Sequence, residues 1–473
     1  MKRFLFFALA LLLTTSCTTQ QAPSTQPEWE GKPRVIVMTD GEVDDRCSMV
    51  HFLLYTNDMQ VDAIIQSNSC FQRKGWSSEP WIEEQLAAYE EVYSNLLVHD
   101  KEYPTADALR QVIYVGDEDP DHIPQGISYK TLLPGMEPLI DPTEWADTPG
   151  SERIIEVLLE EDPRPVFIQC WGGGNTAAKA FQKLKAAYPE EYDRAISKAV
   201  LYCIWYQDAA GNYIERHHPK ATILLSHHFS GSWDYGTMTN SDNFIRQYLQ
   251  NGQNPLGKFY THPYISEGDT PAFLYSIDNG MRSYEHPTYG GWGGRFYRVE
   301  GFENVYRDVS LGALREWLEP ALRDFQARLE WCITPTYEEA NHAPEITIEG
   351  GLDRTVKSGE KVTLTAQICD RDPRDVEGAW RIRGHMWKQK GRTRAWLDED
   401  PEKRIEEYRT DWCQIAGGSY TGSVDLLFEG KDQITFTAPK VTQPETIHIL
   451  LEAYDMALPR MTSYARFIIT VVP

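Results

Sequence analysis

Val35-Ile36-Val37-Met38-Thr39-Asp40-Gly41-Glu42-Val43-Asp44-Asp45 runs from β-branched apolar residues straight into carboxylates. The apolar part predicts a buried strand over 34–39. Ser48-Met49-Val50-His51-Phe52-Leu53-Leu54 predicts a helix over 48–55, leaving a tight acidic loop between the two. Ligands of open α/β sheets bind at the carboxyl ends of the strands. Asp40, Asp44 and Asp45 would crowd that end. Like charges so close repel unless a counter-ion, typically a hard divalent cation, offsets them.

Outward from this stretch, strand patterns at 61–66, 165–169, 199–204 and 222–225 alternate with helical ones at 83–97, 106–114, 151–160, 176–187, 243–250 and 311–331. That alternation predicts an open, mostly parallel sheet flanked by helices over 32–332. The Pro-, Gly- and Asp-rich stretch 116–150 reads as a long functional loop. Residues 333–344 read as a linker. Beyond it, 345–473 carries alternating strands at 345–348, 361–366, 432–437, 447–453 and 464–472, the pattern of an all-β sandwich. A chain of 473 residues suits two such domains.

At the N-terminus, Lys2 and Arg3 precede an apolar run to Leu13, and Thr14-Thr15-Ser16 lead to Cys17. This predicts a secretory signal over 1–17 whose Cys17 resembles the lipidated cysteine of a bacterial lipobox. The apolar run is too short to span a bilayer. Residues 18–31 then form a flexible tether, and the mature protein is expected in the cell envelope (periplasm or outer membrane), touching membrane only through the lipid on Cys17. A net charge of −24 without any basic stripe argues against nucleic-acid binding. The eight cysteines are scattered with no CxxC pair, so neither a disulfide framework nor a zinc site is expected, although one bridge stays open.

Further segments carry candidate chemistry. Ala63-Ile64-Ile65-Gln66-Ser67-Asn68 is a strand ending in a turn Asn. Gln169-Cys170-Trp171-Gly172-Gly173-Gly174-Asn175-Thr176 is a strand entering a glycine turn before an Ala-rich helix, and glycines let a backbone approach a ligand closely. Glu267-Gly268-Asp269-Thr270-Pro271 opens a helix with an aspartate. Trp205-Tyr206-Gln207-Asp208 and Glu285-His286-Pro287-Thr288-Tyr289-Gly290-Gly291-Trp292-Gly293-Gly294-Arg295 add aromatic and polar groups.

Together these segments resemble the nucleoside hydrolase superfamily, whose signature is D-x-D-x-G-x-D-D after the first strand. The order and spacing most resemble its bacterial branch often labelled cellulose-binding, which carries a C-terminal Ig-like domain. The resemblance implies one Ca2+ held by Asp40, Asp45, Asp269 and the backbone carbonyl of Trp171. It also implies Asp40 as the base for an attacking water and Asp44 as a partner of a sugar hydroxyl. Asn68, Trp171, Asn175, Trp205, Tyr206, Asp208, His286, Trp292 and Arg295 are the expected substrate-binding residues. The chain departs from the signature at Met38, which replaces the first aspartate, and at Gly268, which replaces a histidine. The family's ribose-holding Asn has no match near Asp208, which weakens a true nucleoside hydrolase reading. The implied function is calcium-dependent hydrolysis of an N- or O-glycosidic bond in a sugar or glycan fragment. The alternative is a non-catalytic carbohydrate-binding lipoprotein. Glu285, His286, His217 and His218 are the candidates for protonating the leaving group, and the sandwich is expected to buttress the larger domain.

Overall fold

The computed structural model describes residues 31–127, 130–229, 253–260, 267–370, 372, 408–457 and 459–473. The expected signal over 1–17, nearly all of the tether and the helix expected over 243–250 lie outside the described residues.

Strand β1 (Arg34–Thr39) is buried along its whole length. It lies parallel between β2 (Gln60–Gln66) and β4 (Val166–Cys170). On one side β3 (Ile113–Val115) extends the sheet beyond β2. On the other, β5 (Ala199–Ile204) and β6 (Thr222–Ser226) follow β4 in parallel, then β8 (Val305–Asp308), with β7 (Phe296–Arg298) as an antiparallel edge. The order is β3-β2-β1-β4-β5-β6-β8-β7. Alternation within each strand sends side chains to opposite faces. Val35 and Val37 join the core under helices α1 (Val43–Leu53) and α2 (Trp81–His99), whereas Ile36 and Met38 join the one under α4 (Pro149–Leu159) and α5 (Asn175–Ala187).

Some boundaries differ from expectation. Helix α1 begins at Val43, not 48, so Asp44 and Asp45 lie in its first turn, where the helix dipole favours carboxylates. The helix expected over 106–114 ends early: α3 is Ala106–Arg110, and the β-branched and aromatic residues after it become β3. The helix expected over 311–331 is two, α9 (Leu311–Arg315) and α10 (Leu318–Trp331). Pro320 explains the break, because it lacks an N–H and is tolerated only in a first turn.

The C-terminal part forms two four-stranded sheets, consistent with a β-sandwich. One has the order β10 (Asp353–Lys357), β16 (Thr462–Val472), β15 (Glu445–Asp455), β12 (Tyr408–Ile415); the other is β13 (Leu427–Phe428), β14 (Gln433–Thr437), β11 (Lys361–Cys369), β9 (Glu345–Ile348). Val362 and Leu364 share its core with Ile447, Ile449, Phe467 and Ile469. The sandwich also completes the larger domain: Leu450, Met461 and Tyr464 belong to the cluster that contains Val35 and α2. Arg282 donates to Asp353 at 2.7 and 3.1 Å, and buried Arg466 donates to the carbonyls of Tyr289 and Gly290 at 2.9 and 2.8 Å. No disulfide joins the seven cysteines among the described residues.

Candidate functional site

The chain leaves β1 for β2 and β3 on one side, then returns to lay β4, β5 and β6 on the other. The crevice between the carboxyl ends of β1 and β4 is therefore a topological switch point, where open α/β sheets bind ligands. Asp40 follows β1 and the Trp171–Gly174 turn follows β4. A Cβ on Gly172 would fall 2.7 Å from Cβ of Asp40, and one on Gly173 would fall 2.3 Å from Oδ2 of Asp208 and 2.5 Å from the Asn68 carbonyl. Only glycine lets these loops close on one another.

Asp40, Asp44, Asp45 and Asp269 meet in this crevice. One carboxylate oxygen each of Asp44, Asp45 and Asp269 lie within 4.8 Å of one another, a group that could hold a metal ion. Asp45 is fixed by the Thr39 hydroxyl and by the Asp40 amide at 3.1 Å. Asp269 stands at the N-cap of helix α8 (Thr270–Ser276) without using its side chain to cap it. Burial raises the pKa of Asp40. Burial, then the charge of Asp40, pushes Asp44 up to about 6. Burial, then Asp40 and Asp269, raises Asp45 strongly; burial, then Asp44, does the same for Asp269. Glu42, which sequence reasoning passed over, is raised to about 7 by burial and by Asp40 and Asp44, while Gln72 donates to it at 3.2 Å. Among the described residues no ion pair reaches Asp40, Asp44, Asp45 or Asp269. Asp40 Oδ2 and Asp269 Oδ2 are buried without a partner. A divalent cation fits this donor set of hard oxygens and would relieve both the repulsion and the orphaned atoms. The resemblance assigned Asp44 to the sugar and Asp40 to the ion; the geometry groups Asp44 with Asp45 and Asp269.

Asn68 and Asn175 adjoin the crevice, and each spends its amide nitrogen on backbone. Asn68 donates to the carbonyls of Arg73 and Asp119 at 3.0 Å, and Asn175 donates to that of His122 at 3.3 Å. Their Oδ1 atoms are buried and unpartnered. Asp208 accepts the amides of Asn175 and Ala210, each at 2.9 Å, tying the start of α5 to α7 (Ala210–His217); burial raises it to about 6. Trp171 turns its ring into the core against Phe52 and Phe273, and its carbonyl accepts from Gln207 at 2.5 Å. Trp205 has a left-handed φ of 56° and packs edge-on against Phe229 at 4.5 Å. Such strain in a bulky residue is characteristic of functional positions. Tyr206 is buried, its hydroxyl on Glu215 at 3.0 Å.

The remaining expected residues are placed elsewhere. Trp292 is buried at the junction with the sandwich, its Nε1 3.3 Å from the Tyr464 hydroxyl. Arg295 packs against Gly290 in the same loop, and His286 bonds Thr288 at 2.8 Å. Glu285 is paired with Arg282 at 2.7 Å. His217 and His218 close α7 at the end away from Asp208, about 12 Å down the helix axis. Burial drives the pKa of His218 down to about 3.

An α/β sheet with carboxylates gathered at its switch point is a nucleoside hydrolase-like architecture. The chain belongs to the family described as cellulose-binding Sde182, nucleoside hydrolase-like domain, which matches residues 34–296, more than half of it. Residues 399–471 match the C-terminal domain of cellulose-binding protein Sde0182. A solved nucleoside hydrolase-related protein from Saccharophagus degradans, described as associated with carbohydrate metabolism, is 27% identical. It aligns over 93% of this chain and 100% of its own, with a TM-score of 0.74. The plant nucleoside hydrolase PpNRh1 (14% identity, 63% of this chain, 99% of that one, TM-score 0.33) and the effector XOO4466 (10%, 64%, 95%, 0.35) are likenesses too slight to bear on the site. No match was found among curated proteins.

Proposed function

We propose that this protein hydrolyses a glycosidic bond in a sugar or glycan fragment in a calcium-dependent manner. The observation that carries this reading is the convergence of buried Asp40, Asp45 and Asp269 with half-buried Asp44, with no cation paired to them among the described residues. Asp44, Asp45 and Asp269 would hold the ion. Bound calcium would keep the carboxylates ionised at neutral pH and help orient a water and a vicinal diol. Asp40 is the base: its unpartnered Oδ2 takes the proton of the attacking water. The Oδ1 atoms of Asn68 and Asn175 are acceptors held in place by the backbone bonds of their amide nitrogens, so they suit sugar hydroxyl donors. Gly172 and Gly173 leave room for Asp40 and Asp208 to stand beside the ring. An acidic chain reaching the envelope through a lipid on Cys17 would meet glycans there; loss of metabolic palmitate labelling in Cys17→Ser tests that part.

A second reading, binding without turnover, is favoured by the cellulose-binding description of the family. The two separate on Asp40→Ala, assayed for turnover on a broad glycoside panel and for affinity by calorimetry with oligosaccharides. Hydrolysis predicts turnover in the parent and its loss in the variant, with affinity retained. A parent that turns over nothing in the presence of calcium would sink the hydrolase.

A further inference from the structure

Hydrolysis also needs a proton for the departing oxygen, and Glu285, His286, His217 and His218 do not stand at the crevice. The backbone of His122 borders it, at the start of the long loop that follows β3. The turn around it is held by the crevice residues themselves: Asn175 donates to the carbonyl of His122 at 3.3 Å and Asn68 to that of Asp119 at 3.0 Å. Arg73 donates to the carbonyls on either side, those of Pro120 (2.6 Å) and Ile123. The imidazole Nδ1 lies 2.7 Å from Oδ2 of buried Asp117, whose other oxygen accepts the Asp119 amide at 2.9 Å. A carboxylate there keeps the proton on Nδ1 and leaves Nε2 as the atom that gains and loses one. The Asp119 carboxylate lies 3.8 Å from Nε2, and Trp145 stacks on the ring at 4.0 Å and 9°, fixing its plane. The side chain keeps 19% of its exposure, so the ring is held but reachable.

We propose that His122 is the acid that protonates the departing oxygen, with Asp117 setting its tautomer and Trp145 its orientation. This rests on the hydrolase reading above. As the glycosidic C–O bond breaks, its electron pair goes to the departing oxygen, which takes the proton from Nε2. The new C–O bond forms to water, whose proton passes to Asp40. Asp40 then releases a proton to solvent and Nε2 takes one up, so the net change is addition of one water.

The test compares two glycosides of one sugar: a nitrophenyl glycoside, whose phenolate leaves unaided, and an alkyl glycoside, whose alkoxide does not. His122→Ala and the near-isosteric His122→Gln should each lower kcat on the alkyl glycoside about 100-fold or more, with KM little changed. On the nitrophenyl glycoside they should stay within about 10-fold. The alkaline limb of the parent pH profile should vanish in both variants. Asp117→Asn should lower kcat on the alkyl glycoside more than on the nitrophenyl glycoside, with KM little changed, because the carboxylate that sets the ring's tautomer is gone. Equal losses on both glycosides, or an unchanged alkaline limb, would overturn the proposal and leave the hydrolase standing. A parent inert on both would overturn the two together.

Discussion

Asp44 shows what the acidic crevice costs without an ion. Its carboxyl titrates ordinarily near 3.8 and here is raised to about 6, by burial first and Asp40 second. Between those values the unfolded chain has already lost the proton that the ion-free folded chain keeps. The unfolded state therefore binds fewer protons, and ion-free stability falls as pH rises from about 4 through about 6, with Glu42 extending the fall to about 7. Calcium should reverse this. Melting in EDTA is expected to occur lower at pH 8 than at pH 5, and calcium at about 100 times its Kd should restore about 2.7 kcal/mol at pH 8 and far less at pH 5. Asp269→Asn is expected to lose the calcium response, yet to melt higher than the parent in EDTA at pH 8, because one repelling charge has gone. Equal melting of the parent with and without calcium at pH 8 would count against the cluster as an ion site. These side chains were legible in the sequence because each follows a strand or opens a helix, where spacing can be read. Glu42 was not, since nothing in the spacing separates a half-buried loop glutamate from a solvated one.

At the scale of elements, the turn between β4 and α5 brings the crevice together. Gly173→Ala places a methyl 2.3 Å from the Asp208 carboxylate and 2.5 Å from the Asn68 carbonyl, and the second of these is backbone that cannot rotate away. The substitution should destabilise the protein by about 1–3 kcal/mol. It should also raise KM more than it lowers kcat, since it disturbs the asparagine rim before the base; denaturant midpoints and kinetics read the two effects. An unchanged midpoint would mean that the loops are not packed as described. The strand–turn–helix order here was readable because apolar period and glycines coincide. The neighbouring stretch 116–150 was readable only as a loop. Its Asp117–His122 pair depends on Trp145, which lies 23 residues beyond His122 and is brought back by two 3-10 turns, Pro120–His122 and Pro142–Glu144, that leave no periodic trace. The start of α1 was misplaced for a related reason. Acidic residues suit a loop and a helix's first turn equally, and the dipole of α1 decided between them.

Across the whole molecule, the Gly-Gly-Trp-Gly-Gly-Arg segment, to which the resemblance assigned substrate-binding Trp292 and Arg295, packs as a joint between the larger domain and the sandwich. Gly293 lies where a Cβ would sit 2.4 Å from the Tyr275 amide of α8, and Trp292 beside it reaches Tyr464 of the sandwich. Arg466, whose side chain is buried with burial lowering its pKa to about 9, donates from β16 to two carbonyls of the same loop. The sandwich thus clamps a loop that packs on the helix carrying Asp269, and three of its side chains sit in the larger domain's core. Units sharing a core unfold together, so the chain should show one calorimetric transition. Arg466→Met keeps the bulk but strips donors from both carbonyls, and should lower stability by about 2–3 kcal/mol. The whole transition should shift, and calcium affinity should weaken with it, because the loop no longer braces α8. Two transitions, of which the variant moves only one, would mean that the sandwich is a passenger and that the crevice is built without it.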